Sequence, residues 1–542
     1  MKPADIILKS SAVFHGCVAL PDPGIVAIRG NKIQFVGEET ELPKYQGPHT
    51  RIYDFGDRLI MPGFHDAHLH FYMSGLYASP YVQMVTGETS EEACVERMKE
   101  AADRIPKDRW LIGAGWFHHA WDNPVMPTKK SLDRVFSDRP VCMVSLECHS
   151  MWFNSVGLEK AGIRKDSAPP KGGIYDRLEN GELAGTVHEA AAFGLLPKVY
   201  TFPQEEEDAF YSEFVKRLNS YGITSVCDMS MMPQEGADFV RDDIYERLLR
   251  QRKLNVRVNM YPTLRMDLSR PLEMREKYDG QILRCQGVKQ FMDGVSSCHT
   301  AYLKEPYTNA YFDGDCGRTT IPVDEMREMI LNAAKHDLSV RIHAIGDMAI
   351  HELLDIFEEA EQKYGYKPEL QHTLEHLENF LPEDIGRLAK AHVLPSVQPP
   401  HLVLDMEGIE RDLGEARIKD MWPFRRMIDT GSTLAFGTDS PVVDCNPFYG
   451  IYNAVTRKNE QSRKPDGGWM PEEKITLAEA LSSYTYGSAC AASRADAVGT
   501  LAPGKLADIA VLDRNLFEID PEEIPDTCVV MTIMDGKIVY RK

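Results

Sequence analysis

Positive charge is in short supply: 61 lysines and arginines stand against 82 aspartates and glutamates, for a net charge of −21. Nucleic-acid binding is excluded on that ground, because phosphate contacts need a positive surface. The eleven cysteines are odd in number and scattered, and no two form a CxxC pair. A disulfide framework and a thiolate metal cluster are therefore not expected, and the usage fits a reducing cytoplasm. Long apolar runs are missing too; none approaches the roughly 18 residues of a membrane span. Met1–Phe14 lacks the continuous apolar stretch and small-residue cleavage site of a secretory signal. Repeats and low-complexity tracts are absent, and with 26% charged residues nothing marks disorder. The expectation is a soluble cytoplasmic protein that binds neither nucleic acid nor membrane.

What is present is a large core: 43% of the 542 residues are hydrophobic. The first sixty residues read as short strands and turns, with Arg29-Gly30-Asn31-Lys32 as a hairpin turn. The far end repeats that texture, with Asp535-Gly536 turning into Lys537–Tyr540. Residues 1–62 and 494–542 are predicted to form one small composite β-sandwich domain. Between them, residues 63–493 alternate apolar runs with helix-like stretches. The runs are Val141–Leu146, Ser225–Asp228, Val256–Tyr261, Val288–Phe291, Ser339–His343, His372–His376, Val393–Val397 and Thr433–Phe436. Such alternation implies a parallel sheet, and its length favours an α/β fold of the (β/α)8 TIM-barrel type. A less regular stretch at about 71–221, holding four of the six tryptophans, reads as a long insertion lining or covering the site.

Chemistry enters with Met61-Pro62-Gly63-Phe64-His65-Asp66-Ala67-His68-Leu69-His70. Strand side chains two apart share a face, so His68 and His70 aim two imidazoles at one point, as joint metal binding requires. Downstream, Lys289, His343, His376 and Asp439 each sit in or close an apolar run, where barrel enzymes place their chemistry. Imidazole and carboxylate donors suit zinc, manganese, iron or nickel.

These segments resemble the amidohydrolase superfamily, and within it the amidohydrolase-3 branch with its N-substituted formamide deformylase-like proteins. The likeness runs through Cys148–Asn154, Gly172-Gly173-Ile174, Ser396-Val397-Gln398-Pro399 and Gly437-Thr438-Asp439-Ser440-Pro441, and ends at Gly499–Ile509. It implies one or two divalent metals, zinc being expected. His68, His70 and Asp439 would hold the more buried ion, and His343 and His376 the more exposed one. Lys289, carboxylated on its amine, would bridge them; in a one-metal enzyme Lys289 stays an unmodified structural residue.

The resulting expectation is a metal-dependent hydrolase of a small molecule. It would cut an amide, N-substituted formamide or cyclic amide with a metal-activated water, and Asp439 would act as general base and then acid. Trp116 and His149 in the insertion are candidate substrate contacts, against plain packing for the first and an ordinary loop histidine for the second. Decarboxylation or isomerisation on the same scaffold, or a non-catalytic binding or regulatory role, are the alternatives. Only the general prevalence of twofold symmetry points to a homodimer.

Overall fold

The structure is a computed structural model describing residues 2–146, 148, 150–231 and 238–542. The chain divides into two compact units. One comprises Met1–His70, Val215–Pro233 and Tyr245–Lys542; the other comprises Phe71–Phe214 and Gln234–Ile244.

In the first unit, strands from both chain ends join in one eight-stranded sheet. Its path runs Lys537–Arg541, Val529–Met534, Ile509–Leu512, Leu59–Pro62, Ile6–Val13, Asp22–Arg29, Lys32–Gly37, with Arg51–Asp54 added beside Ile6–Val13. Strand alternation sends Ile6, Leu8, Val26 and Ile28 into a cluster with Ile60, Ile509 and Val511. Ile7, Ile25 and Ala27 go to a second cluster around Tyr45. Both faces are covered, which explains why Ile25–Ile28 reads as an unbroken apolar run. The expected sandwich is thus, by its pairing, one continuous sheet with a core on each face.

Parallel strands follow: β1 (Phe64–Leu69), β2 (Ile223–Met229), β3 (Arg257–Tyr261), β4 (Gly287–Phe291), β5 (Ser339–Ala344), β6 (Thr373–His376), β7 (Leu394–Val397) and β8 (Ala435–Phe436), with a ninth, the short Leu283–Cys285, pairing in parallel beside β3. Neighbours pair in chain order through β1–β2–β3 and β4–β5–β6–β7–β8. Parallel bridges Thr263–Lys289 and Leu69–Ser440 join the two ladders, and the ring of strands closes. Helices fill the connections. Asp347–Tyr364, between β5 and β6, buries Ala349, Ile350, Leu353, Leu354, Phe357 and Ala360. That spacing is one stripe of a 3.6-residue helix, and Gly365 at φ 78° takes the chain out of it.

The apolar run at Val141 is a correction. Val141–Ser145 does not join the ring but lies in the six-stranded sheet of the second unit, and β1 with its histidine pair supplies the ring's first strand. Length and apolarity alone do not tell a strand of one buried sheet from a strand of another. The second unit's sheet runs Gly173–Arg177, Leu183–Glu189, Ser150–Phe153, Val141–Ser145, Leu111–Trp116, Val82–Met84. Its core gathers Trp116, Trp121 and Trp152 with Val95, Met98 and Leu132. Compared with the predicted insertion, this unit stops at Phe214 and takes in Gln234–Ile244. Among the described residues, no helix is long and apolar enough to cross a membrane.

Candidate metal centre

The histidine pair closes β1. Gly437 of the β8 exit lies so close to β1 that a Cβ there would stand 2.7 Å from His68 Cβ. The amide of Asp439 donates to His68 O at 2.6 Å and that of His70 to Ser440 O at 2.9 Å. These bonds bring Asp439, in the left-handed region at φ 59°, over the two imidazoles. His68 Nε2 lies 3.4 Å and His70 Nε2 3.0 Å from Asp439 Oδ1.

Each ring's other nitrogen is already used. His68 Nδ1 lies 2.7 Å from Glu375 Oε2, and His70 Nδ1 lies 3.0 Å from the Met229 carbonyl. An acceptor at Nδ1 fixes the hydrogen there and leaves the Nε2 lone pair to point at Asp439. Glu375 is fully buried. Arg341 Nε donates to its Oε1 at 2.7 Å, as does Thr373 Oγ1 at 2.6 Å. Burial works against that carboxylate, but Arg341 and His68 hold it well below the usual range. Asp66, on the same face of β1, accepts from His68 N, Thr438 N and Thr438 Oγ1 at 3.0, 3.1 and 2.6 Å. It pins the Gly437–Asp439 turn to the strand bearing the histidines.

A second group lies beside the first. His343 Nε2 donates to Gly294 O at 3.1 Å, which leaves Nδ1 with the free lone pair. Its ring centroid is 4.4 Å from that of His376. His376 leaves β6 at φ 73°, which frees it from the alternation that points Glu375 inward, and its centroid is 5.0 Å from that of His68. His376 also groups with Glu378 and His401, each offering one atom within 4.8 Å of the others. His401 Nε2 is 3.8 Å from Asp439 Oδ2, and His401 Nδ1 is 4.0 Å from Glu378 Oε1.

The electrostatics favour neutral imidazoles and a charged Asp439. Burial, helped by the Lys289 charge, lowers His68 to about 4 and His343 to about 3. Burial and His343 hold His376 well below the ordinary histidine value. Burial would raise Asp439, but His68 and His70 keep it below the carboxylate range. Burial, then the charges of Asp293 and Asp439, pushes Glu378 up to about 8. Lys289 is completely buried in β4. Its Nζ has no hydrogen-bond partner among the described residues, lies 4.9 Å from the Phe291 ring centroid, and is lowered by burial to about 8.

His68, His70 and Asp439 therefore come together, and His343 and His376 adjoin them. Trp116 is 1% exposed, donates Nε1 to Met143 O, and packs on Trp152. His149 lies outside the described residues. Sequence reasoning missed Glu375, Arg341, Glu378 and His401. The same strand-end rule that selected His376 applies to Gln398–His401 after β7, which went unused.

The donor set fits a divalent transition metal. Ligand atoms of His68, His70 and Asp439 lie mutually close at a largely buried point, and Asp439 Oδ1 is buried without a hydrogen-bond partner among the described residues.

Comparison with known proteins agrees. A sequence model of the Amidohydrolase family matches residues 51–540. The protein YtcJ of Bacillus subtilis (strain 168) is 30% identical over 501 residues, covering 92% of each chain. N-substituted formamide deformylase of Arthrobacter pascens is 25% identical over 533 residues, covering 95% of each. Among solved structures, an uncharacterized metal-dependent hydrolase from Pyrococcus horikoshii OT3 superposes with a TM-score of 0.77 at 25% identity. That match covers 95% of this chain and 99% of the other.

Proposed function

The chain belongs to the amidohydrolase family, and we propose that it is a metal-dependent hydrolase of small molecules that cuts a carbon–nitrogen bond other than a peptide bond. The observation that carries this reading is the convergence of His68 Nε2, His70 Nε2 and Asp439 Oδ1, with both Nδ1 atoms committed elsewhere. In this reading the closed strand ring is a (β/α)8 barrel with its site at the C-terminal strand ends. The terminal sheet is its composite β domain, and the scattered free cysteines fit a reducing compartment such as the cytoplasm.

His68, His70 and Asp439 would hold one ion, with zinc expected, and His343 and His376 a second. Lys289 would join both sets once carboxylated: its neutral amine adds to carbon dioxide, forms an N–C bond, and releases one proton. The orphaned, buried Nζ supports that step, since an ammonium has no lone pair to offer. A divalent metal so held supplies Lewis acidity, which lowers the pKa of a water from about 15.7 toward about 7 and polarises a carbonyl oxygen.

The remaining work falls to this chain's own groups. Asp439 presents Oδ1 to His68 and His70 and Oδ2 to His401, so one carboxylate would both ligate and hold a proton in transit to the departing nitrogen. Glu375 and Met229 O keep the two imidazoles in one tautomer, and Asp66 holds the turn that carries Asp439.

The test pairs elemental analysis of the purified protein with a screen of amides, N-substituted formamides and cyclic amides, scored for release of an amine and an acid. Bound transition metal and hydrolysis of at least one class are expected. A protein that takes up no metal from zinc or manganese with bicarbonate, and hydrolyses nothing, overturns the proposal.

A further inference from the structure

In the second unit a serine, a histidine and an aspartate stand in one hydrogen-bonded chain. Ser150 and His188 face each other across the antiparallel pair Ser150–Phe153 and Leu183–Glu189, with Ser150 Oγ 2.8 Å from His188 Nδ1. His188 Nε2 lies 2.7 Å from Asp176 Oδ2 on the adjoining strand Gly173–Arg177. Thr186 Oγ1 donates to that same oxygen at 2.7 Å. None of these residues belongs to the metal-ligand sets above.

The direction of the chain follows from its far end. Burial works against the Asp176 charge, but His188 and Thr186 hold the carboxyl below its usual range. A carboxylate only accepts, so Asp176 fixes the hydrogen on His188 Nε2 and leaves the Nδ1 lone pair facing Ser150. The serine hydroxyl must then donate. An orienting carboxylate, a base and a hydroxyl in that order are the parts of an activated nucleophile. The two ring nitrogens exchange the places they take in serine proteases, which leaves the route of the proton unchanged. The group is not sealed: Ser150 keeps 7% of its surface, and the side chains of His188 and Asp176 keep 15% and 32%. Glu189, next to His188, is held at φ 54° and ψ −131°, a conformation costly for a residue other than glycine and concentrated at functional sites.

We propose that Ser150, His188 and Asp176 form a second, metal-independent site that hydrolyses small activated esters through an acyl-serine. Ser150 Oγ bonds to the acyl carbon and its proton passes to His188 Nδ1. The ester C–O bond breaks as that proton moves to the leaving oxygen. Water then attacks the acyl-serine and gives a proton to His188. The Oγ–C bond breaks, His188 returns the proton to Oγ, and an acid and an alcohol have been released. A positioned base supplies about 10²- to 10⁴-fold, which suffices for an ester with a good leaving group, such as an aryl acetate, and not for an unactivated amide. None of these steps uses the metal centre.

The test uses the full chain, metal-loaded and chelator-treated in parallel, with p-nitrophenyl acetate and a fluorophosphonate as probes. A burst of about one p-nitrophenol per chain, the mark of an accumulating acyl-enzyme, is expected in both samples. Mass spectrometry of the phosphonylated protein should place the label on Ser150. Ser150→Ala should lose burst and label together. His188→Gln and Asp176→Asn should slow the burst by about 10²- to 10⁴-fold, with metal content and melting temperature unchanged.

Label on lysines, or on no residue at all, overturns the proposal, and that reading of wild type needs no variant to fold. A burst that Ser150→Ala retains overturns it equally. Ester hydrolysis that vanishes with the metal belongs to the metal centre and takes Ser150 out of the chemistry. A protein that binds no metal and hydrolyses no amide, yet gives the burst and the Ser150 label, keeps this site and sinks only the metal-dependent hydrolase.

Discussion

The two ends of the strand ring bury similar chemistry and treat it in opposite ways. At the N-terminal end, Arg257 opens β3 with no exposure, and all three nitrogens of its guanidinium donate. Nε and Nη2 donate to Asp508 at 2.6 and 2.9 Å, Nη2 to Asp535 at 3.1 Å, and Nη1 to Gln281 O at 2.8 Å. Arg494 nearby is less complete and leaves Nη1 unpaired. At the C-terminal end, Lys289 Nζ, both polar atoms of Gln398, His401 Nε2 and Asp439 Oδ1 are all buried without a hydrogen-bond partner among the described residues. Folding alone would favour the first arrangement everywhere. A cluster of unsatisfied groups at one end makes sense when something other than protein completes them, so the contrast separates a stabilising end from a working end.

That contrast can be broken from either side. The largest effect is expected from replacing His68 and His70 together by alanine. Two of three donors go, turnover should fall by on the order of 10⁶-fold, the lower range of enzymatic acceleration, and elemental analysis should show the inner ion gone. Retained activity would remove the metal from the mechanism. Asp439→Asn should lower kcat by about 10²- to 10⁴-fold, the usual scale for a general acid–base group, with KM far less affected. Full activity with metal bound would take the proton-carrying role away from Asp439.

Arg257→Ala should act at the other end and in another quantity. Stripping Asp508 and Asp535 of their buried partner should cost about 3–5 kcal/mol of stability, read by denaturant unfolding. Turnover per folded molecule should stay near wild type; a kcat loss matching that of Asp439→Asn would dissolve the distinction between the ends. The smallest effect belongs to Glu375→Gln, which keeps an acceptor for Arg341 but changes the partner of His68 Nδ1. Metal affinity should weaken by about 10- to 100-fold, measured by competition with a chelator. Unchanged affinity would reduce Glu375 to packing.

Much of this was legible beforehand, for reasons tied to particular residues. His68 and His70 could be paired because a strand repeats every two residues, a rule that needs no tertiary information. Asp439, His343 and His376 could be selected because they end apolar runs. The run at Val141 was assigned to the ring because a buried strand looks the same in either sheet. An aromatic in a Gly- and Pro-rich stretch, such as Trp116, is compatible with a pocket wall or with a core, and its packing with Trp121 and Trp152 is visible only in the tertiary structure. Glu375 hid behind the histidine it adjoins.

The sequence by itself determined the strand periodicity, the apolar extent of each strand and the set of ionisable residues at strand ends, because these follow from local geometry and from transfer of side chains out of water. Tertiary structure alone decided which nitrogen of each histidine is free, which carboxylate turns toward the metal side and which toward an arginine, and which buried amide is left unpaired. Those outcomes depend on partners far apart in sequence, such as Glu375 for His68 and Ser440 for His70. A hydrogen bond is settled within a few tenths of an ångström, a precision that only the closed ring imposes.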